Sequence, residues 1–257
     1  MSTDSIIIIT TATKRAELLN RTYQTFHTFS DLPYLSPFII ANVDPVGPDD
    51  IQEVVRVVES WGTGGTRVYL PMSPGFGYAF RTVWYSVGDY ENQYPYVIYL
   101  EDDWELLRSV RFKEIMRFMD DHPDVVSVRL NDKPAGEKDI KTFNRFMPYN
   151  DELGCFEVPD YQRLTFGFCG HPQVLRSSFV SKAAKYINPE SNPEKQFHRG
   201  DLSELVEMVE SNRWCIWCER GGGKTVKDIG REWMVENGYR KKGVKAFFTE
   251  WYEKEEG

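Results

Sequence analysis

The chain has no run of apolar residues near the ~18–20 that a membrane-crossing helix needs, so no segment reads as a span. It has no excess of positive charge either. Its 31 Lys and Arg are outnumbered by 39 Asp and Glu, a net charge of −8, which is the wrong sign for a general nucleic-acid binder. Cysteine is scarce: Cys155, Cys169, Cys215 and Cys218 fit a reducing compartment. Cys215 and Cys218 form a C-x2-C, but no second Cys/His pair stands at zinc-site spacing, so they are expected to be packing thiols. The opening Met1–Ser5 and the four Ile after it lack the basic lead and long apolar core of a signal peptide. A cytoplasmic protein is therefore expected. Repeats and linkers are lacking too, and 257 residues suit a single compact α/β domain.

Two glycine motifs fall short. Gly75-Phe76-Gly77 has no third Gly at the spacing of a dinucleotide site. Gly221-Gly222-Gly223-Lys224-Thr225 resembles the end of a phosphate-binding loop, but Cys218 stands where that loop needs Gly. A mobile loop is the better reading, and with Lys227 and Arg231 nearby it is expected to act as a lid.

What is present is organised around Tyr96-Val97-Ile98-Tyr99-Leu100-Glu101-Asp102-Asp103-Trp104-Glu105. Five apolar or aromatic residues read as a buried central strand, which runs straight into three acids. Buried carboxylates are costly without a positive partner, so the acids belong where the strand emerges, facing a cation. An acidic helix cap at Asp102 or Asp103 is the plainer alternative. Upstream, Ile6–Ile9 is a strand, and Thr10-Thr11-Ala12-Thr13-Lys14-Arg15 is a polar turn into a helix over about 16–29. Thr10, Thr11 and Arg15 are candidates for holding phosphate there; a solvated loop is the other reading. A second strand over 37–43 ends at Asp44, either a turn residue or a nucleotide ligand. Helices over about 50–60 and 78–90, the second carrying Arg81, complete a β-α-β-α-β-α-β order. That order predicts a mostly parallel sheet with its site at the strand ends.

Later in the chain, a helix over 112–121 and a strand over 125–130 are expected. Residues 131–165 read as irregular, as a binding segment or a hairpin. Phe166–Gly170 reads as a tight turn before a helix over 177–186, and Lys245–Glu253 as an amphipathic helix. Carboxylates suit Mg²⁺ or Mn²⁺, and such a cation offsets charge on a departing diphosphate. A weakly nucleophilic hydroxyl acceptor wants a carboxylate base. Asp201, after Gly200 at a helix start, is the candidate; spacing alone leans to a plain cap, with Glu204 completing a capping box.

Glu101-Asp102-Asp103 after an apolar strand, with Val126-Ser127 and then Asn131-Asp132, resembles GT-A glycosyltransferases, most nearly the inverting N-acetylglucosaminyltransferases of N-glycans. Arg15, Asp44 and Phe166-Gly167 add to the likeness, which runs with gaps from Ile6 to about Gly230. It implies a GT-A-like (Rossmann-like) sheet flanked by helices, with residues 1–103 binding a nucleotide-sugar and residues 104–257 facing the acceptor. It further implies that Asp103 binds Mn²⁺ or Mg²⁺, with Asp228 as a late second ligand. Asp102 and Glu101 would face ribose and sugar, Arg15 and Asp44 the base and ribose, Arg81 the nucleotide side, and Asp201 would be the base. The donor implied is a UDP-sugar and the acceptor a carbohydrate or other hydroxyl. The middle loop departs from the family pattern, which leaves the acceptor open. A sugar nucleotidyltransferase would want a Gly-rich loop where Thr10–Lys14 has none; a non-catalytic nucleotide- or sugar-binding protein is the remaining alternative.

Overall fold

The computed structural model describes residues 6–132, 149–151, 155–199, 203–217, 223–243 and 249–253. Strand β1 (Ile7–Ala12) leads to helix α1 (Ala16–Thr28), β2 (Phe38–Val43) to α2 (Ile51–Trp61) and β3 (Thr66–Tyr69) to α3 (Phe76–Ser86). Strand β4 (Tyr96–Tyr99) then delivers the acids. Helical crossovers join parallel neighbours, and β3, β2, β1 and β4 pair in parallel in that order. Alternation along the Ile run sets the layers. Ile6 and Ile8 join the core under α1 and α2, while Ile7 and Ile9 join the core under α3.

The chain continues through β5 (Trp104–Leu106), α4 (Phe112–Asp121), β6 (Val125–Leu130), β7 (Tyr149–Asn150) and β8 (Cys155–Glu157). Then come α5 (Arg163–Phe166), β9 (Gln173–Arg176), α6 (Ser177–Ala184), α7 (Pro193–Arg199) and α8 (Ser203–Glu210). The last described elements are β10 (Arg213–Trp217), β11 (Val226–Asp228), α9 (Gly230–Glu236), β12 (Tyr239–Gly243) and β13 (Thr249–Glu253). Among the described residues the main sheet has nine strands in the order β3-β2-β1-β4-β9-β6-β10-β8-β7, with only β9 and β8 running against the others. It is the mostly parallel, helix-flanked α/β sheet the sequence predicts. No described helix is long and apolar enough to cross a membrane.

Two elements differ from the sequence reading, and a third matches one of its two options. Strand β9 lies between β4 and β6, where a turn was expected to run directly into a helix. Four residues, Gln173-Val174-Leu175-Arg176, are too few to show a period. Tyr149–Asn150 and Cys155–Glu157 pair antiparallel, in keeping with the hairpin that was one of the two options for the long polar segment. At the C-terminus the expected helix is absent from 249–253, which pair as β13 with β12; Lys245–Phe248 lie outside the described residues. Thr249, Trp251 and Tyr252 favour strand once β12 offers a partner.

One aromatic side chain ties the second core to the strand ends. Phe168 is fully buried, with ring centroids 4.4 Å from Phe197 of α7, 5.4 Å from Trp84 and 5.8 Å from Phe80 of α3. It fixes the loop that follows it and the helix carrying Glu194. Phe168→Ala should lower unfolding free energy by about 3–5 kcal/mol. Urea denaturation checks this; a loss below about 1 kcal/mol would mean that the hub does not hold the loop.

Candidate active site

The acids meet their cation at the exit of β4. Arg15, at the N-terminal boundary of α1, is 2% exposed and grips Asp102 with two nitrogens, Nη2 to Oδ1 at 2.6 Å and Nε to Oδ2 at 3.2 Å. Asp102, 3% exposed, also accepts from the Thr13 N–H at 2.9 Å and hydroxyl at 3.0 Å, and its carbonyl accepts from Thr22. Burial opposes the charge on Arg15, but Asp102 and Asp103 outweigh it and raise its pKa. Arg15 therefore braces the acids from within the turn. Its guanidinium reaches Asp103 Oδ2 at 3.3 Å and sits 5.6 Å from the ring of Trp233 in α9.

Asp103 and Asp228, far apart in sequence, lie on neighbouring segments of backbone. Strand β11 pairs antiparallel with β5, setting Asp228 opposite Trp104, and the Ile229 N–H donates to the Asp103 carbonyl at 2.9 Å. Gly230 follows at close approach: a Cβ there would lie 2.2 Å from Asp103 Oδ2. Asp228 is exposed and accepts from the Gly230 N–H at 2.9 Å, so it also caps the start of α9. The expected lid is corrected in part. Thr225 is buried and Val226–Asp228 are knit into β11; Gly221 and Gly222 lie outside the described residues.

Glu101 turns the other way. It accepts from the Tyr99 hydroxyl at 2.6 Å. Burial first, then Asp103, hold its carboxyl well above the usual range, against the pull of Tyr99; Glu194 and Asp102 add to the rise. Glu194 Oε1 accepts from the Gly170 N–H, and a Cβ on Gly170 would lie within 2.9 Å of a carboxylate oxygen from each of Glu101 and Glu194. Two glutamates thus face each other across one glycine. The sequence reading passed over Glu194. Its signal is Pro193-Glu194 after a Pro-rich break, a helix start with an acid in its first turn.

The other sequence candidates are placed as follows. β1 extends through Ala12, so Thr10 and Thr11 are strand residues paired with Ala41 and Asn42, both buried, and their N–H groups are not in the turn. Thr10 accepts from the Tyr23 hydroxyl at 2.9 Å. Thr13 holds Asp102 instead. Asp44, 8% exposed, accepts from the Asn42 amide at 3.0 Å and the Gly75 N–H at 3.0 Å; burial raises its pKa against both bonds. Arg81 lies in a groove of about 230 Å³ with Tyr69, Tyr78, Thr82, Tyr85 and Ser86. Asp201 and Cys218 lie outside the described residues. Cys215 is buried beside Cys155, as a packing thiol should be.

Among the described residues no three His, Cys, Asp or Glu side chains converge as a complete metal cage. Asp103, just before β5, and the exposed Asp228, at the end of β11, have the oxygen chemistry for Mg²⁺ or Mn²⁺, which are commonly held by one or two carboxylates with water and substrate phosphate supplying the rest.

No protein-family model and no curated protein matches the chain. Solved structures do. S. aureus TarS aligns with a TM-score of 0.54 at 11% identity over 85% of this chain and 36% of its own. TarS 1-349 in complex with UDP-GlcNAc gives 0.53 and 11% over 86% and 60%. The mannosyltransferase PcManGT from Pyrobaculum calidifontis, in complex with GDP-Man and Mn²⁺, gives 0.55 and 11% over 84% and 54%. The chain spans about one third to three fifths of these proteins. At that identity the likeness establishes a fold shared with these proteins.

The two aspartates should separate on stability. Asp102→Ala leaves Arg15 buried without its main partner and should cost about 3–5 kcal/mol. Asp103→Asn keeps the shape beside Gly230 and should cost under about 1 kcal/mol. Urea unfolding of both variants checks this, and equal losses would remove the distinction between brace and working acid.

Proposed function

We propose that the chain is a metal-dependent glycosyltransferase that moves a sugar from a nucleotide-sugar to a hydroxyl acceptor with inversion. The observation that carries the reading is the pairing of the strand that ends at Asp228 with the one that follows Asp103, next to the Arg15–Asp102 brace and the Glu101–Glu194 pair. Asp103 and Asp228 would hold Mn²⁺ or Mg²⁺, which offsets charge on the leaving diphosphate. Residues 1–103 take the nucleotide, with Asp44 and the Arg81 groove as the candidates for base and ribose. Residues 104–257 face the acceptor. UDP is the preferred nucleotide and an N-acetylhexosamine the preferred sugar, in keeping with the family the acid motif resembles. TarS has been solved with UDP-GlcNAc and PcManGT with GDP-Man, and a donor panel decides between such choices for this chain. A cytoplasmic location belongs to the same reading.

Two acids are candidates for the base. Asp201 has the preceding Gly200, the helix start and the matching position in the resembled family. Glu194 has the position: it faces Glu101 across Gly170, and Glu101 is held well above the usual carboxylate range by burial and by its acidic neighbours. On that position we favour Glu194. Glu194→Gln keeps an acceptor for the Gly170 N–H, so UDP binding should hold while kcat falls by roughly 10²–10⁴. Asp201→Asn should lose less. The reverse order would transfer the role to Asp201, and retained configuration in the product, read by NMR, would overturn single displacement.

The reading as a whole is tested by incubating the protein with UDP-sugars and Mn²⁺ and measuring UDP release. Asp103→Ala should abolish release and Mn²⁺-dependent UDP binding, with the circular dichroism spectrum unchanged. UDP binding without release from any donor would favour a binding protein. Release of pyrophosphate from a nucleoside triphosphate and a sugar phosphate would favour a nucleotidyltransferase.

A further inference from the structure

Helix α3 has two faces of different character. Phe80, Val83 and Trp84 belong to the core with Ile7 and Ile9 of β1. Tyr78, Arg81, Thr82 and Tyr85, spaced i, i+3, i+4 and i+7, share the opposite face. The helix packs over β1 and β2, while β3 is the edge strand of the main sheet. Between the outer face of α3 and Tyr69 of β3 this leaves the groove of about 230 Å³, which Ser86 completes. Its floor is fixed: the Tyr69 and Ser86 hydroxyls bond each other at 2.7 Å, and Ser86 donates to the Thr82 carbonyl at 2.8 Å. Tyr78 and Tyr85, 49% and 61% exposed, stand on either side of Arg81, about 10 Å apart along the helix axis. The Arg81 guanidinium lies 5.9 Å from the Tyr85 ring centroid. Its Nε is shielded from water and has no hydrogen-bond partner among the described residues. No acid lines the groove, and Asp89, on the same flank of the sheet, is held by Arg67 at 2.8 Å. A shielded donor on a charged group is costly without an acceptor, and here the acceptor has to come from outside the chain.

We propose that this groove is a binding site for an acidic sugar, a pyranose ring bearing a carboxylate or a phosphate. A guanidinium pairs side-on with such an anion through Nε and one Nη, which supplies the missing acceptor. The tyrosine rings offer apolar faces to the C–H side of a sugar, and their hydroxyls meet its O–H groups. A bare phosphate would use the guanidinium and leave the rings idle. Position separates the groove from the nucleotide. Of the two candidates for base and ribose, Asp44 stands at the strand ends, where it accepts from the Gly75 N–H at 3.0 Å. Arg81 is six residues past Gly75, about 9 Å down α3 and away from those ends, and Tyr85 and Ser86 are further still. Asp44 therefore keeps the base and ribose, and the groove takes a second ligand. In a chain of net charge −8, a cation without an acid among tyrosines is a local exception that favours an anion. The inference stands apart from the nucleotide-sugar reading.

The test follows the arginine Nε–H signals of the ¹⁵N-labelled protein by NMR at constant ionic strength. The signal lost from the Arg81→Gln spectrum identifies Arg81. Glucuronate or glucose 6-phosphate should shift it saturably, and the tighter of the two names the acid group; glucose should leave it in place. Arg81→Gln should weaken the tighter ligand at least tenfold by calorimetry. Tyr85→Ala keeps the guanidinium and should weaken it at least threefold, with the circular dichroism spectra of both variants unchanged. UDP with Mg²⁺ should not displace the sugar. No saturable shift from either acidic sugar would overturn the proposal. So would inorganic phosphate binding as tightly as glucose 6-phosphate, which would mean an anion site only. Displacement by UDP would overturn it as well and return the groove to the base.

Discussion

The site depends on one buried ion pair. Arg15 and Asp102 are each almost completely shielded from water, and neither charge is tolerable there without the other. Because the pair closes with two hydrogen bonds, and Thr13 takes up the remaining capacity of Asp102, it fixes position as well as charge. It staples the turn after β1 to the exit of β4, two strands already paired in parallel. That staple decides where Glu101 and Asp103 go. With Asp102 turned inward, its two neighbours are left to serve different surroundings.

The three acids are consecutive, yet their environments differ. Asp102 has a guanidinium and a backbone N–H. Asp103 lies under the backbone of Ile229 and Gly230, beside an exposed Asp228. Glu101 sees a tyrosine hydroxyl and another glutamate, in a place where charge is disfavoured. Same chemistry in sequence becomes a brace, an acid packed against Gly230 and an acid of raised pKa in the fold. The shift on Glu101 has burial as its largest cause, so it is a property of the packing around β4, which no count of acids in the sequence reveals.

Much of this was legible. The apolar strand running into three acids, the need for a buried cation, and the β-α-β order were enough to predict a parallel sheet with its site at the strand ends. Arg15 was found as a residue but given a ligand, because a turn arginine reads as exposed until the depth of its partner is known. Thr10 and Thr11 were misplaced by a boundary: β-branched polar residues extend a strand when tyrosines are present to meet their hydroxyls. Glu194 was missed as a site residue for one reason. It reaches the site through β9, a strand too short to show a period, and without it nothing in the sequence brings residues 169–194 beside residue 101.

That strand shows how the architecture assembles the second half of the site. A parallel sheet offers only strand ends pointing one way, and each is followed by a loop leaving the site. Inserting a single antiparallel strand between two parallel ones reverses this, since its entry lies where its neighbours exit. Gln173, the first residue of β9, pairs with both Tyr99 of β4 and Arg129 of β6. The residues just before it, Cys169 to His171, must therefore fall between the residues just after those strands, Glu101 on one side and Asn131-Asp132 on the other. The Gln173 side chain reinforces the placement, accepting from Ser127 and donating to the Cys169 carbonyl. Gly170 then sits where any side chain would collide with both glutamates, so the same reversal that brings Cys169 to Arg129 leaves room for Glu194 to approach Glu101. Both contacts are thus consequences of one change of strand direction.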